Sequence, residues 1–79
     1  PYQVVNVSSL EIFGDGSTVD LVALYENKLI SRKNRPLKIL GGGELMKKLT
    51  VKADACSADA KKKIEAKGGS VLLNVAPVK

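Results

Sequence analysis

The sequence predicts a small α/β domain with a mixed sheet. Three observations carry that expectation. Several short runs are β-branched or alternate apolar with polar residues, which is the period of a strand. Two further runs begin on cap residues and place apolar side chains at helical spacing. At 79 residues the chain can hold one core, so residues 1–79 read as a single domain.

Tyr2 to Val7 (YQVVNV) is rich in β-branched residues and reads as the first strand. A short helical turn follows. Ser8 and Glu11 have the spacing of a capping box, and Val7 and Ile12 that of a hydrophobic staple. Gly14-Asp15-Gly16 ends the turn in a loop. Asp20 is placed to cap a helix, with Val19 and Leu24 as its staple and Leu21, Leu24, Tyr25 and Lys28 along one face. Leu29 and Ile30 lead into a polar, basic loop, Ser31 to Arg35, closed by Pro36, which favours extended chain before and after it. Leu37 to Leu40 reads as a strand and Gly41-Gly42-Gly43 as a tight turn or bulge. Lys48 to Asp54 alternates, with Leu49, Val51 and Ala53 on one side and Lys48, Thr50, Lys52 and Asp54 on the other. Ser57 caps a second helix that runs through Lys67 on a thin stripe of Ala60 and Ile64, and Gly68 stops it in the left-handed C′ position. Ser70 to Val75 is the last strand, stopped by Pro77. The order is β, turn, α, β, β, α, β.

Charge is distributed unevenly. Residues 1–31 carry one lysine against four carboxylates, a net −3. Residues 32–67 carry eleven basic side chains against four acidic ones, a net +7, and the whole chain is +5. Such asymmetry turns one face towards an anionic partner. A domain of this length buries only roughly 60% of its unfolded surface, so it often leans on a partner for stability. One Cys cannot form an internal disulfide, and no apolar run approaches the ~20 residues needed to span a bilayer. There is no signal-peptide pattern at the start. The chain opens on Pro1 with no initiator Met, which suggests a longer parent chain.

Candidate chemistry is thin. The glycine triplet lacks the Gly-x-x-x-x-Gly-Lys-Ser/Thr spacing of a phosphate loop, and Glu44 after it opposes an anion. The triplet reads instead as a structural turn between strands, with Gly41 and Gly43 as its turn glycines. Gly68 and Gly69 serve the same purpose after the helix. Cys56 has no His anywhere in the chain to act as its base, and one Cys with no His cannot make a zinc site. It reads as a small apolar residue before a helix. Carboxylate pairs fall at loops and caps. No catalytic residue, metal or cofactor is expected. The basic constellation is the signal that remains: Arg32, Lys33, Arg35 and Lys38 on and after the loop, Lys47, Lys48 and Lys52 on and before a strand, and Lys61, Lys62, Lys63 and Lys67 on a helix. Lysine and arginine neutralise phosphates without reading sequence. With few aromatic residues for stacking, the expected mode is contact with the backbone and shape of a folded RNA.

The run LKILGGGELMKKLTVKA, then Ser57 and AKKKIEAKGGSV, resembles the C-terminal domain of the bacterial-type large-subunit ribosomal protein L-fifteen family. The resemblance rests on Leu40, Gly41, Gly43, Glu44, Leu45, Leu49 to Ala53, Ser57, Ala60, Ile64, Glu65, Gly68 and Gly69, in order and spacing. Val5-Asn6-Val7 with Leu10, the acidic glycine turn, and Val19, Leu21, Leu24, Leu29 and Ile30 extend it over nearly the whole chain. The family often has a basic or His-containing pair followed by Phe where this chain has Asp54, Ala55 and Cys56, and a polar residue where it has Met46. The tail LLNVAPVK is more apolar than such a family member would show.

The resemblance implies an irregular superhelix of ββα turns, shared with the related archaeal-type L-eighteen family. It implies a structural role in bracing large-subunit ribosomal RNA beside neighbouring ribosomal proteins, in a bacterial cytoplasm or an organellar matrix or stroma. It also implies a Gly/Arg-rich N-terminal arm preceding the present residues. Two other readings stay open: membership of the L-eighteen family itself, and a small basic module that binds an acidic protein partner.

Overall fold

The computed structural model describes residues 2–73. Its strands divide between two three-stranded ladders. The first contains β1 (Gln3–Asn6), β3 (Leu37–Leu40) and β5 (Ala55–Cys56), and the second β2 (Thr18–Val19), β4 (Thr50–Ala53) and β6 (Ser70–Leu73), each in that spatial order. Helix α1 (Leu21–Glu26) lies between β2 and β3 in the chain, and α2 (Ala58–Ala66) between β5 and β6. The α/β class is as expected. The strand arrangement is more specific than one mixed sheet, because every strand pair among the described residues is parallel. Odd-numbered strands join one ladder and even-numbered strands the other, so the chain visits the ladders alternately and advances by one strand per circuit. This is a three-turn coil of strand and helix units.

Register stacks like residues on like. Val5, Ile39 and Cys56 lie level across the first ladder, and Val19, Val51 and Val71 across the second. These rows feed one core, which also holds Val7, Leu10, Leu24, Leu37, Leu45, Leu49, Ala60 and Ile64. Nothing polar or charged among the described residues is buried with them. The alternation read for the strand after the glycine loop is correct: Leu49, Val51 and Ala53 are buried and Lys52 is exposed. Its ladder pairing is shorter than the run Lys48 to Asp54, because Lys47 and Lys48 belong to a connection and Ala55-Cys56 crosses to the other ladder. Of the last expected strand, Val75 and the stop at Pro77 lie outside the described residues, as does the end of the apolar tail.

Both α-helix caps form as read. The Asp20 carboxylate accepts from the Ala23 amide at 2.8 Å, and the Ser57 hydroxyl from the Ala60 amide at 3.1 Å. The capping box at Ser8 and Glu11 does not form. Val7–Ile12 is a 3-10 helix preceded by Asn6, with no side-chain cap. Glu11 instead accepts from the amide of Met46, 35 residues away. The staple fails as well, since Val7 is buried and Ile12 is 59% exposed. The tighter 3-10 winding turns Ile12 away from Val7.

Glycines mark the close approaches. Gly43 has φ +77° and sits against Ser8, as the turn reading required. Gly41 is needed for a different reason: a Cβ there would stand 2.6 Å from that of Asp59 and 3.0 Å from the Ala60 amide, at the first turn of α2. At Gly42 the amide donates to Asn6 Oδ1 at 3.0 Å and a Cβ would meet that side-chain amide. Asn6 is exposed, however, and its end can turn aside, so Gly42 accepts a side chain more readily than its two neighbours. Gly68 (φ +84°) and Gly69 close α2: the Gly68 amide donates to the Glu65 carbonyl at 2.9 Å and the Gly69 amide to the Ile64 carbonyl at 3.1 Å. Helix α1 ends in the same motif with a lysine, as Lys28 adopts φ 63° and Leu29 donates to the Leu24 carbonyl at 2.9 Å.

Two substitutions should move stability in opposite directions in urea unfolding without RNA. Lys28→Gly relieves a left-handed lysine and should stabilise the fold by about 0.5–1 kcal/mol. Gly69→Ala places a Cβ against the backbone of Leu49 and should destabilise it by about 1–3 kcal/mol. A Gly69→Ala protein that unfolds at the parent's midpoint would contradict this packing.

Candidate nucleic-acid interface

The basic loop is built on β1. The Gln3 amide donates to the Pro36 carbonyl at 2.9 Å, and the Gln3 side chain donates from Nε2 to the Arg32 carbonyl at 2.6 Å and the Arg35 carbonyl at 3.2 Å. A loop whose carbonyls are pinned this way keeps the Arg32, Lys33 and Arg35 side chains exposed. Lys33 places its ammonium 5.1 Å from the centre of the Tyr25 ring, within cation–π range. Where β3 begins, the Asp54 carboxylate accepts from the Leu37 amide at 2.8 Å and the Asp54 amide donates to the Leu37 carbonyl at 3.0 Å. Asp54 is therefore an internal clasp. Lys38 follows on β3, half-buried, at the register level of Val4 and Ala55.

The second basic group comes off the connection into β4. Asp15 accepts from the Lys48 amide at 2.8 Å, and the Gly16 amide donates to the Lys48 carbonyl at 2.6 Å. Backbone fixed on both sides lets the Lys48 side chain project, and its aliphatic stem passes within 4 Å of where a Gly68 Cβ would stand. The structure thus brings the stem of Lys48 to the C-terminal end of α2, where Lys67 is the C-cap. Cations there also face the negative end of the helix dipole. Lys47 is half-buried, with its ammonium 3.4 Å from the Phe13 carbonyl, and Lys52 is exposed on β4.

The third group divides. Lys61 and Lys62 are exposed on α2. Lys63 is half-buried and donates to the carbonyls of Gly41 and Gly43, at 2.7 Å each. Two of the triplet's carbonyls thus face a cation, the Gly42 carbonyl accepts from the Ser8 amide at 3.2 Å and the Gly42 amide is taken by Asn6, whereas a phosphate cradle would need amides turned outward. Lys63 holds the loop; the other ten basic residues keep their side chains at or near the surface.

Cys56 ends the row Val5–Ile39–Cys56 and is partly buried. Burial pushes its thiol up from the ordinary cysteine value, Lys61 opposes that and Glu65 adds to it. No group of three or more His, Cys, Asp or Glu that could hold a metal gathers among the described residues.

Sequence reasoning missed Gln3, Asn6 and Asp54, whose partners lie 17 to 36 residues away. No local pattern marks such contacts. It also counts Tyr25 and Tyr2 among the few large core side chains, whereas both are exposed and the Tyr25 ring lies beside the basic loop.

Two measurements check this geometry. Lys63→Met should cost about 1–2 kcal/mol of stability, a figure that discounts two charge-assisted bonds for partial exposure, while Lys62→Met should change it by less than ~0.5 kcal/mol. Because the thiolate is the reactive form, Cys56 should alkylate with iodoacetamide more slowly at neutral pH than an unstructured thiol, and its rate should keep rising into more alkaline pH. The unfolded chain loses that proton more readily, so folding stability should fall as pH rises through the ordinary cysteine range. A rate equal to that of a free thiol would contradict the burial.

The chain is similar in sequence to known proteins. The chain is 49% identical over 70 residues to the large ribosomal subunit protein uL15 of Lactobacillus helveticus, and 46% over 71 residues to that of Mesomycoplasma hyopneumoniae. It is 50% identical over 70 residues to that of Coprothermobacter proteolyticus. Each comparison covers 89% of this chain and 47–48% of the relative, so the chain spans about half the length of the curated relatives it matches. The profile of one family matches residues 4–72, from β1 into β6. The chain belongs to that family, which unites the ribosomal proteins 50S-L15 and 50S-L18e with their 60S counterpart.

Proposed function

We propose that this chain is the globular, C-terminal RNA-binding domain of a structural protein of the large ribosomal subunit. It braces folded ribosomal RNA by neutralising phosphates and carries out no reaction of its own. The observation that supports this most is the fate of the charged side chains. Glu11, Asp15, Asp20 and Asp54 are each taken up by a backbone amide, while Arg32, Lys33, Arg35, Lys48, Lys52, Lys61, Lys62 and Lys67 stand exposed. Folding therefore uses half of the eight carboxylates internally, while Glu26, Glu44, Asp59 and Glu65 stay exposed and are outnumbered by the exposed cations. Lys38 and Lys47 add charge from half-buried positions, and Lys63 contributes indirectly by fixing the glycine loop. The three relatives named above all carry the uL15 name, which favours the L-fifteen branch over L-eighteen. The setting is the ribosome, among other large-subunit proteins, in a bacterial cytoplasm or an organelle.

Binding of this kind is driven by counterion release. If about four phosphates are neutralised, the logarithm of affinity for a folded ribosomal RNA fragment should fall against the logarithm of salt with a slope of roughly −3. Replacing Lys48, Lys52 and Lys67 by Gln should flatten that slope, while Lys63→Gln should leave it nearly unchanged. A salt-independent affinity, or tighter binding to an acidic protein than to RNA, would overturn the proposal.

A further inference from the structure

Tyr25 stands where two open grooves meet. One, of about 720 Å3, runs between β1 and the end of α1, with Val4, Leu29 and Ile30 as its apolar wall and Glu26 at its rim. The other, of about 530 Å3, is lined by Ser31, Arg32, Lys33 and Asn34. Both are of a size that receives small organic ligands. The ring is 39% exposed, and Val4 beside it is 52% exposed. One groove thus offers an aromatic and aliphatic surface with a carboxylate acceptor. The adjoining one offers two cations on a loop whose carbonyls are already pinned by Gln3. A flat, apolar body joined to an anion matches that pair of surfaces.

We infer that this junction is a seat for one unpaired nucleotide of RNA. The base stacks on Tyr25 and lies along Val4 and Leu29, and its phosphate meets Arg32 and Lys33. Charge fixes the direction: the first groove holds Glu26 together with Lys28, which offset each other, whereas the second is lined by two cations and no carboxylate. The phosphate therefore goes to the second and the base, with Glu26 as acceptor for an exocyclic amino group, to the first. Lys33, already on the Tyr25 ring, sits where phosphate and ring meet. The inference rests on the RNA-binding reading above and adds to it a contact with an unstacked base, which backbone neutralisation alone does not include. Stacking of a base on an aromatic side chain is tolerant of sequence, and the amino-group contact favours adenine over uracil.

The test uses the whole chain with two probes, a single-stranded RNA octamer of adenosines and an RNA duplex of equal charge. Adding the octamer should shift the Tyr25 ring protons upfield in NMR spectra. Tyr25→Leu should weaken octamer binding by about tenfold at every salt concentration, with an unchanged salt slope, because a stack releases no counterion. Tyr25→Phe should bind like the parent, and Tyr25→Leu should bind the duplex like the parent, which also shows that it is folded. An octamer of uridines should bind more weakly than that of adenosines, and Glu26→Gln should narrow the gap. If Tyr25→Leu binds the adenosine octamer as tightly as the parent, or loses octamer and duplex equally, the seat is wrong while salt-dependent RNA binding stands. If the parent binds neither probe in a salt-dependent way, the seat and the RNA-binding reading fail together.

Discussion

A parallel strand pair cannot be closed by a tight turn, because the chain must return to the same end before it can pair again. That constraint organises this molecule. All four strand pairs among the described residues are parallel, so each return path has to be filled by something. Here the return is made through the other ladder. Leaving β1, the chain reaches β2 in the second ladder before it comes back to β3. The 3-10 turn, α1, the glycine loop and α2 are the material of those crossings. One consequence is that apolar residues stack between circuits, as in the Val19–Val51–Val71 row. Another is that the crossings run close to one another, which is why Gly41, Gly42, Gly43 and Gly69 all meet neighbours at distances no β-carbon would allow.

Short strands leave many backbone amides with no ladder partner. In this chain exposed or half-buried side chains supply the missing acceptors. Asn6 takes the Gly42 amide, Glu11 that of Met46, Asp15 that of Lys48 and Asp54 that of Leu37. Each contact joins segments far apart in sequence, and each lies outside the apolar core, which contains no polar side chain among the described residues. A small domain gains from this division. Burying such groups would carry a desolvation penalty that a core of this size cannot offset, whereas at the rim they remain partly hydrated and still fix the loops.

This division explains which parts of the structure were legible in the sequence. Strand periodicity and helix caps depend on residues within a few positions of one another, so Leu37 to Leu40, the Asp20 and Ser57 caps and the Gly68 stop could all be read directly. The capping-box spacing at Ser8 and Glu11 was equally local, yet Met46 offers its amide to the same carboxylate and the tertiary contact prevails. The alternation of Lys48 to Asp54 gave the buried face correctly. It could not show that pairing ends at Ala53 or that Ala55-Cys56 crosses to the other ladder, since both depend on where β3 lies. The coil itself was visible only through resemblance to a family. Among the lysines, composition could not single out Lys63, because its partners are carbonyls of a loop 20 and 22 residues earlier.

The lysines also show how one residue type serves two purposes in one surface. Lys63 lies half-buried with fixed partners, so its ammonium contributes to cohesion. Lys61 and Lys62, its chain neighbours, are exposed and contribute field. Crowding eleven basic groups into residues 32–67 raises the repulsion that the folded state must bear. The fold limits that repulsion by distributing the groups over a loop, two strands and a helix, and by placing Lys48 and Lys67 at the negative end of α2. It does not remove the repulsion: Glu11, Asp15, Asp20 and Asp54 are occupied by backbone amides, and the exposed Glu44, Asp59 and Glu65 are too few to offset eleven cations. A polyanion supplies what the fold withholds: phosphates laid along this face relieve the repulsion and gain counterion entropy in the same step. A capacity to bind a polyanion such as the proposed RNA thus follows from one choice, the use of four acidic side chains to hold the coil while most basic ones face outward.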